Sequence, residues 1–116
     1  MKTRTWWTWQ EGRQHTGYFK MLLAQSQWLK FDMYLLKFVQ GASIPFHTDP
    51  VPNARHFRLN IVLKEARGGG QFLCDRPLWN FKDRIFYFRS DTSPHAVSKV
   101  LGGTRYVLSI GWLRAV

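Results

Sequence analysis

The segment IPFHTDP, at residues 44–50, places a histidine and an aspartate two residues apart between two prolines. Successive side chains of an extended segment alternate between two faces, so His47 and Asp49 project together. A neutral imidazole and a carboxylate both bind divalent metal ions. The spacing therefore predicts half of a metal site, and the alternative interpretation is a polar turn with a capping aspartate.

A complete site needs a third ligand, and the sequence offers His15, His56 and His95. His95 is favoured because it follows an aromatic-rich segment and precedes another apolar stretch. His15 lies in an expected helix, and His56 lies in a charged loop, ARHFR, where a solvated imidazole is expected. Two histidines and one carboxylate on one face leave other metal positions open, as in non-haem Fe(II) oxygenases. Zinc accepts the same ligands but cannot carry redox chemistry.

An arginine follows this candidate site at the start of the last apolar segment, RYVLSIGWL. An unpaired buried guanidinium is costly, so we expect Arg105 to be exposed or to have an anionic partner. A dicarboxylate fits, because a guanidinium matches a carboxylate in two-point contact. Ser109 shares the face of Arg105 and offers a hydroxyl hydrogen bond. The opposite face is the expected core and carries Tyr106, Leu108, Ile110 and Trp112.

The elements that position these residues are predicted to be mostly strands. Residues 14–29 carry apolar side chains at three- and four-residue intervals and predict one helix packed over a sheet. From Met33 onward, short apolar runs with turn signals between them predict strands, and these pieces are MYLLKFVQ, FRLNIVLK, QFLC, RIFYFRS and RYVLSIGWL. This order predicts a β-sandwich or barrel that carries one helix.

Composition favours one globular domain. The chain has 116 residues, of which 45% are hydrophobic and 16% aromatic, so it can bury a core. Its only cysteine, Cys74, excludes an intrachain disulfide and fits the reducing cytoplasm. No apolar run approaches the ~20 residues of a membrane span, and the first residues do not resemble a signal peptide.

The chain is strongly basic, with 17 Lys and Arg against 7 Asp and Glu and a net charge of +10. This balance favours anionic partners, either nucleic acid or small carboxylates and phosphates. The basic residues are scattered without a run of five, so no basic arm is expected.

The order of these features resembles the 2-oxoglutarate- and Fe(II)-dependent dioxygenases. The similarity is to their prolyl-4-hydroxylase-like branch, and to small members such as those that phages encode. The pieces that carry it span residues 33–113, and they are FVQGASIPFHTD, RLNIVL, GGGQF and RIFYFRSDTSPHAVSKVLGGTRYVLSIGW. The resemblance implies a mainly β fold in one domain, 1–116. Residues 33–116 would form a double-stranded β-helix, a cupin-like jelly roll, and residues 1–32 its helical support.

The resemblance also implies an activity. His47, Asp49 and His95 would bind Fe(II), and Arg105 would bind the far carboxylate of the co-substrate 2-oxoglutarate. The expected enzyme uses O2, with ascorbate as an accessory reductant, and releases succinate and CO2. Its expected reaction is hydroxylation of a C–H bond in a proline-like protein side chain.

One position departs from the family pattern. Many relatives have a tyrosine where Phe38 stands, and a phenyl ring cannot donate a hydrogen bond to the co-substrate. Asn60 and Arg58 are the candidates to replace it, with an exposed polar strand face as the alternative. Trp79 and Arg89 are candidate substrate residues at the mouth of the pocket.

Two other functions stay open at this stage. An oxygenase acting on a nucleic-acid base or nucleotide would use the basic charge, with Trp6, Trp7 and Trp9 as stacking surfaces. A basic β-sandwich that binds nucleic acid without catalysis would make the HxD pattern incidental. The sequence identifies neither the prime substrate nor the oligomeric state.

Overall fold

A computed structural model of the chain describes residues 7–11 and 17–115, and every regular element in these ranges is a β-strand. The strands are β1 (Trp9–Glu11), β2 (Tyr18–Ser26), β3 (Phe31–Phe38), β4 (Ile44–His47), β5 (Ala54–Lys64), β6 (Gly68–Gly69), β7 (Phe72–Cys74), β8 (Trp79–Phe81), β9 (Ile85–Arg89), β10 (His95–Val97), β11 (Val100–Gly102) and β12 (Arg105–Ala115). No helix long and apolar enough to cross a membrane occurs in these ranges.

The strands form one large sheet and two small ones. The large sheet has seven strands in the order β1-β2-β3-β12-β5-β9-β8, and the smaller sheets have the orders β4-β10-β7 and β11-β6. All neighbouring strands are antiparallel, and the two longest, β5 and β12, pair along most of their length. A buried apolar cluster joins residues of the large sheet, such as Phe38 and Val107, to Ile44, Val97 and Val100 of the small ones. The sheets therefore pack face to face as a sandwich.

The predicted N-terminal helix is wrong. Residues 18–26 form β2, which pairs with β3 from Tyr18↔Phe38 to Ser26↔Phe31. The run YFKMLLA is apolar at almost every position, so it fits the helical period and the strand period equally well. Pairing with β3 decides in favour of the strand. The first 32 residues thus contribute strands to the large sheet where a helical support was expected.

The predicted core face of β12 is also wrong. Arg105, Val107 and Ser109 are buried, with relative exposures of 5%, 1% and 1%, whereas Tyr106 and Leu108 are only partly buried. Strand alternation was correct, but the interior lies on the face that includes the arginine and the serine. The same holds on β5, where Asn60 and Val62 are buried, whereas Leu59, Ile61 and Leu63 face outward and are more exposed. The interior of this sheet is mixed, with polar groups beside an apolar cluster.

Candidate metal centre and ligand cavity

Two neighbouring strands and the loop that follows one of them assemble the candidate metal centre. His47 ends β4 and lies in register with His95, the first residue of β10. Asp49 follows in the loop, where its backbone N–H donates to the carbonyl of Ser90 at 2.7 Å. One potential ligand atom from each of His47, Asp49 and His95 lies within 4.8 Å of the other two. The structure therefore brings together the three residues that the sequence selected.

The hydrogen bonds of both imidazoles fix their tautomers. His47 Nδ1 lies 2.8 Å from the carbonyl of Pro45, and His95 Nδ1 lies 2.9 Å from the carbonyl of Ser93. A carbonyl can only accept, so Nδ1 carries a proton in each ring, and in the neutral imidazole Nε2 is the nitrogen with the free lone pair. These Nε2 atoms lie 3.7 Å and 3.3 Å from the two carboxylate oxygens of Asp49. Two lone pairs and a carboxylate converging on one point fit a divalent cation, with the carbonyls orienting the ligands.

The centre has an apolar wall on one side and a cavity on the other. The ring of His95 is buried and packs against Phe88 and Phe72, with centroid distances of 4.9 Å and 6.2 Å. His47 and Asp49 are partly exposed and line a cavity of about 560 Å³ between the sheets. Cavities of this size commonly hold small ligands.

Arg105 lines the same cavity and is an unusual cation. Its side chain is buried, and among the described residues no acceptor forms a hydrogen bond or ion pair with its guanidinium. The guanidinium makes a cation–π contact with the ring of Phe38, whose centroid lies 5.4 Å from the guanidinium carbon. Burial lowers the pKa of Arg105 to about 10, and the negative charge of Glu65 opposes this effect only in part. A buried cation beside an open cavity attracts an anionic ligand.

A second polar group lies further along the same wall. Arg58 donates to the hydroxyl of Ser109 at 2.6 Å and to the carboxylate of Asp32 at 2.7 Å. Ser109 in turn donates to the side-chain oxygen of Asn60 at 2.6 Å. The guanidinium of Arg58 passes directly over Gly111 to reach Asp32. A Cβ at Gly111 would lie 2.6 Å from the central carbon of this guanidinium. Glycine at this position permits the contact.

Sequence reasoning missed four residues with polar groups in the cavity wall: Tyr18, Lys20, Asp32 and Tyr34. Tyr18 is the register partner of Phe38, and the two rings stack at 5.3 Å. The signal was present in FDMYLLKF, where Asp32 and Tyr34 share the face of Phe38 by alternation. A charge in an otherwise apolar strand points to an interior polar group. The register of β2 was needed to add Tyr18.

His56 differs from the solvated loop residue that the sequence predicted. It is partly buried, lies on β5, lines the cavity and forms a 2.7 Å hydrogen bond with the hydroxyl of Ser90. Burial, with the charge of Arg58 as the second cause, lowers the pKa of His56 below its usual value. His56 is therefore neutral at pH 7.

Comparison with known proteins identifies the fold. No protein-family model matches the sequence, and no curated protein does. The structure superposes on the cupin domain of Cnp3 from Schizosaccharomyces pombe with a TM-score of 0.66 at 10% identity, over 92% of this chain and 69% of that one. This chain has a cupin-type jelly-roll fold.

Two further structures have the same cupin-type fold. KdgF from a Halomonas species gives a TM-score of 0.63 at 17% identity, covering 97% of this chain and 96% of that one. A prolyl-4-hydroxylase from Pseudomonas putida gives 0.63 at 18% identity, covering 85% and 72%. At these identities the similarities establish the fold and leave the activity to the residues of the site.

Other predicted residues lie away from the cavity of this cupin-type fold. Trp79 is exposed and stacks on Phe81, and Arg89 forms two hydrogen bonds with Asp91. Both lie on the outer side of the large sheet, with their neighbour Tyr87. The structure does not bring Trp79 or Arg89 to the metal centre.

The N-terminal tryptophans proposed as stacking surfaces have different surroundings. Trp7 is 66% exposed, and the ring of Trp9 lies 4.4 Å from the ammonium group of Lys37. Trp6 and His15 lie outside the described residues.

Proposed function

We propose that the chain is a 2-oxoglutarate- and Fe(II)-dependent dioxygenase that hydroxylates an aliphatic C–H bond, with a proline-like side chain as the leading substrate class. One observation carries this proposal: two tautomer-fixed histidines and an aspartate share a cavity with a buried arginine that has no anionic partner in the described part of the chain. The first group fits a divalent cation, and the second fits a carboxylate. A ligand with a metal-chelating end and a distant carboxylate matches both.

His47, Asp49 and His95 would hold Fe(II), and Arg105 would bind the far carboxylate of 2-oxoglutarate. When bound, these groups supply the oxidising chemistry: one oxygen atom of O2 enters the C–H bond, the other enters succinate, and CO2 leaves. Ascorbate is an accessory reductant in this proposal. The protein contributes ligand geometry, orientation and exclusion of water.

Several side chains orient the co-substrate in this proposal. Tyr18 lies beside Phe38 and supplies the phenol that Phe38 lacks. Asn60 and Ser109 are both buried and linked by a hydrogen bond, so they present a fixed polar edge to the cavity. Because the partners are already in place, little entropy is lost when a ligand binds.

The aromatic wall behind His95 protects the reacting atoms from water. Phe72 and Phe88 pack on the imidazole, so this side of the centre is apolar. Exclusion of water strengthens the electrostatic interactions of the bound ligands and suppresses side reactions.

Anaerobic addition of Fe(II) and 2-oxoglutarate tests the proposal directly. We expect the weak visible charge-transfer band of an Fe(II)–keto-acid chelate and, in air, release of succinate. Both signals should be lost in His47→Ala and retained in Trp79→Ala, whose side chain is exposed on the outer sheet face. Absence of the band from the wild-type protein, or tight binding of zinc with no response to Fe(II), would refute the oxygenase.

The substrate class is tested by succinate release with added peptides and oligonucleotides. Stimulation by proline-containing peptides or amino acids supports the leading class. Stimulation by single-stranded DNA, with a steep salt dependence, would favour the nucleic-acid oxygenase. DNA binding without succinate release would favour a basic binding module. We place the activity in the cytoplasm, where Cys74 remains a free thiol.

A further inference from the structure

The cavity has two polar ends that the large sheet holds apart. Arg105 and Gly111 lie on the inner face of β12, six residues apart, which is about 20 Å along a strand. Gly111 is the register partner of Asp32 on one side and of Arg58 on the other. Arg105 therefore marks one end of the wall, and the Arg58–Asp32 pair marks the other.

The metal ligands lie towards the Arg58–Asp32 end. His95 packs against Phe88, and Phe88 is the register partner of Arg58. At the Arg105 end the opposite wall is apolar, because Ile44 and Val97 join the cluster around Phe38. A keto acid that reaches from the metal to Arg105 thus leaves the Arg58–Asp32 end of the cavity for a second molecule.

The Arg58–Asp32 end carries a pair of opposite charges that can form further hydrogen bonds. The side chains of Arg58 and Asp32 are 15% and 27% exposed, and both line the cavity. Arg58 uses two of its donors, on Ser109 and Asp32, and a guanidinium has five. Asp32 accepts from Arg58 through one oxygen, and within residues 7–11 and 17–115 its second oxygen has no other donor and can accept from a cation.

We propose that Arg58 and Asp32 bind the carboxylate and the ammonium group of a free α-amino acid, which is the molecule that is hydroxylated. This inference rests on the proposed function and narrows its substrate class, because a residue within a peptide has neither charge. A zwitterion presents adjacent opposite charges that match the adjacent guanidinium and carboxylate. Its side chain then points back towards His47, Asp49 and His95.

His56 adds a neutral wall to this end. Its ring is held by Ser90, and its Nε2 would lie 3.0 Å from a Cβ at Gly111, so it flanks the Arg58–Asp32 pair. The loop residues Pro50 and Val51 also line the cavity. On the side formed by His56, Pro50 and Val51, the charged head of the ligand thus meets groups without charge, which strengthens its pairing with Arg58 and Asp32.

Binding to wild-type protein loaded with redox-inert Zn²⁺ and 2-oxoglutarate tests the inference by calorimetry. The probes are L-proline and a panel of other free L-amino acids. N-acetyl-L-proline and L-prolinamide are the matched controls, since each lacks one charge. We expect at least one free amino acid to bind, and loss of either charge to weaken binding by about tenfold or more.

Two variants assign the ends of the cavity. Asp32→Asn should weaken amino-acid binding while leaving 2-oxoglutarate binding unchanged, and Arg105→Met should do the reverse. Asp83→Asn changes an exposed carboxylate that pairs with Asn80 outside the cavity, and it should change neither. If Asp32→Asn fails to fold, the comparison of charged and blocked ligands on the wild-type protein still decides.

Four results would overturn the inference. If 2-oxoglutarate binds through Arg105 but no free amino acid binds, the substrate class is wrong and the proposed function stands. Equal binding of blocked and free amino acids has the same meaning. Nucleoside monophosphates that bind in an Asp32-dependent way would assign this end to a base. If 2-oxoglutarate does not bind the wild-type protein, the proposed function fails and the inference fails with it.

Discussion

The two faces of the large sheet differ in the opposite sense to the usual pattern. The inner face carries Arg58, Asn60, Arg105 and Ser109, all of which line the cavity. The outer face carries mainly aliphatic and aromatic side chains, and on the central strands these are Phe57, Leu59, Ile61, Leu63, Tyr106, Leu108, Ile110 and Trp112. Polarity alone therefore does not identify the inner face of a sheet that encloses a cavity with polar walls.

The outer face reduces its exposure through contacts within the sheet. The rings of Phe57, Tyr87 and Trp112 stack nearly parallel, with centroid distances of 5.6–6.4 Å, and the guanidinium of Arg89 lies 5.5 Å from the centroid of Phe57. Such cross-strand pairs each contribute about 0.2–1 kcal/mol. The inner face is stabilised differently, by hydrogen bonds that join buried polar groups and by the buried apolar cluster around Phe38.

Among the substitutions that compare the two faces, Gly111→Val should change the free energy of unfolding most. A side chain there would collide with the guanidinium of Arg58 and break its contacts with Asp32 and Ser109. We expect a loss of about 3–4 kcal/mol in the free energy of unfolding, from overpacking together with disrupted charged hydrogen bonds. Urea denaturation measures it. Ile110→Val, on the outer face next to it, should cost about 1 kcal/mol or less.

Removal of the buried cation of Arg105 should raise the free energy of unfolding, whereas Gly111→Val should lower it. The folded pKa of Arg105 is about 10, below the usual value of an arginine, so the unfolded state binds more protons between the two values and burial costs stability at every pH below 10. The shift corresponds to at most about 3 kcal/mol.

Arg105→Met should therefore raise the stability of the ligand-free protein by about 1–2 kcal/mol at pH 7. In the proposed function 2-oxoglutarate raises the melting temperature of the wild-type protein, and Arg105→Met should abolish this increase. A ligand response equal to that of the wild type would show that the carboxylate binds elsewhere.

Adjacent threonine substitutions sharpen the comparison at a smaller scale. Val107→Thr introduces a hydroxyl into the buried apolar cluster and should cost about 1–3 kcal/mol. Leu108→Thr changes a partly exposed outer position and should cost less than about 1 kcal/mol. Thermal unfolding of the two variants compares the faces one residue apart. Equal losses would mean that the outer face is covered as completely as the inner one.

The smallest expected effect is a dependence on pH. The pKa of His56 is lowered by burial and then by the charge of Arg58, so its neutral form stabilises the fold. That stability is complete above the unfolded pKa of about 6.5 and is lost as the pH falls towards the folded pKa. We expect a loss of stability between pH 7 and 5 that is absent from His56→Gln. A profile unchanged by His56→Gln would place the titration elsewhere.

Strand alternation and spacing predicted much of the centre, because they follow from local geometry. His47 and Asp49 share a face through alternation, and Arg105 begins a strand that its apolar pattern defined. His95 was selected by its position between two apolar segments, and the short strand β10 that it begins was not predicted. Alternation also grouped Arg105 with Ser109 correctly. It could not tell which face is enclosed, since that depends on how the two sheets pack.

The remaining errors concern register between distant strands. Tyr18 and Asp32 reach the cavity only because β2 and β3 pair with each other and β3 pairs with β12. Local sequence around Tyr18 was ambiguous, because YFKMLLA fits both periods. The contact of Asp32 with Arg58 depends on a glycine on the strand between them, which no local pattern reveals.

The strand β12 is bonded to β3 along one edge and to β5 along the other, from Tyr106 to Trp112. Arg105 and the Arg58–Asp32 pair thus lie along a single strand, β12. This strand cannot stretch or bend without breaking its hydrogen bonds to both neighbouring strands. The distance between Arg105 and the Arg58–Asp32 pair is therefore fixed, and the rise per residue of β12 sets the length of the ligands that fit between them. Adaptation to a longer or shorter molecule would have to come from the loops at residues 48–53, where no ladder holds the backbone.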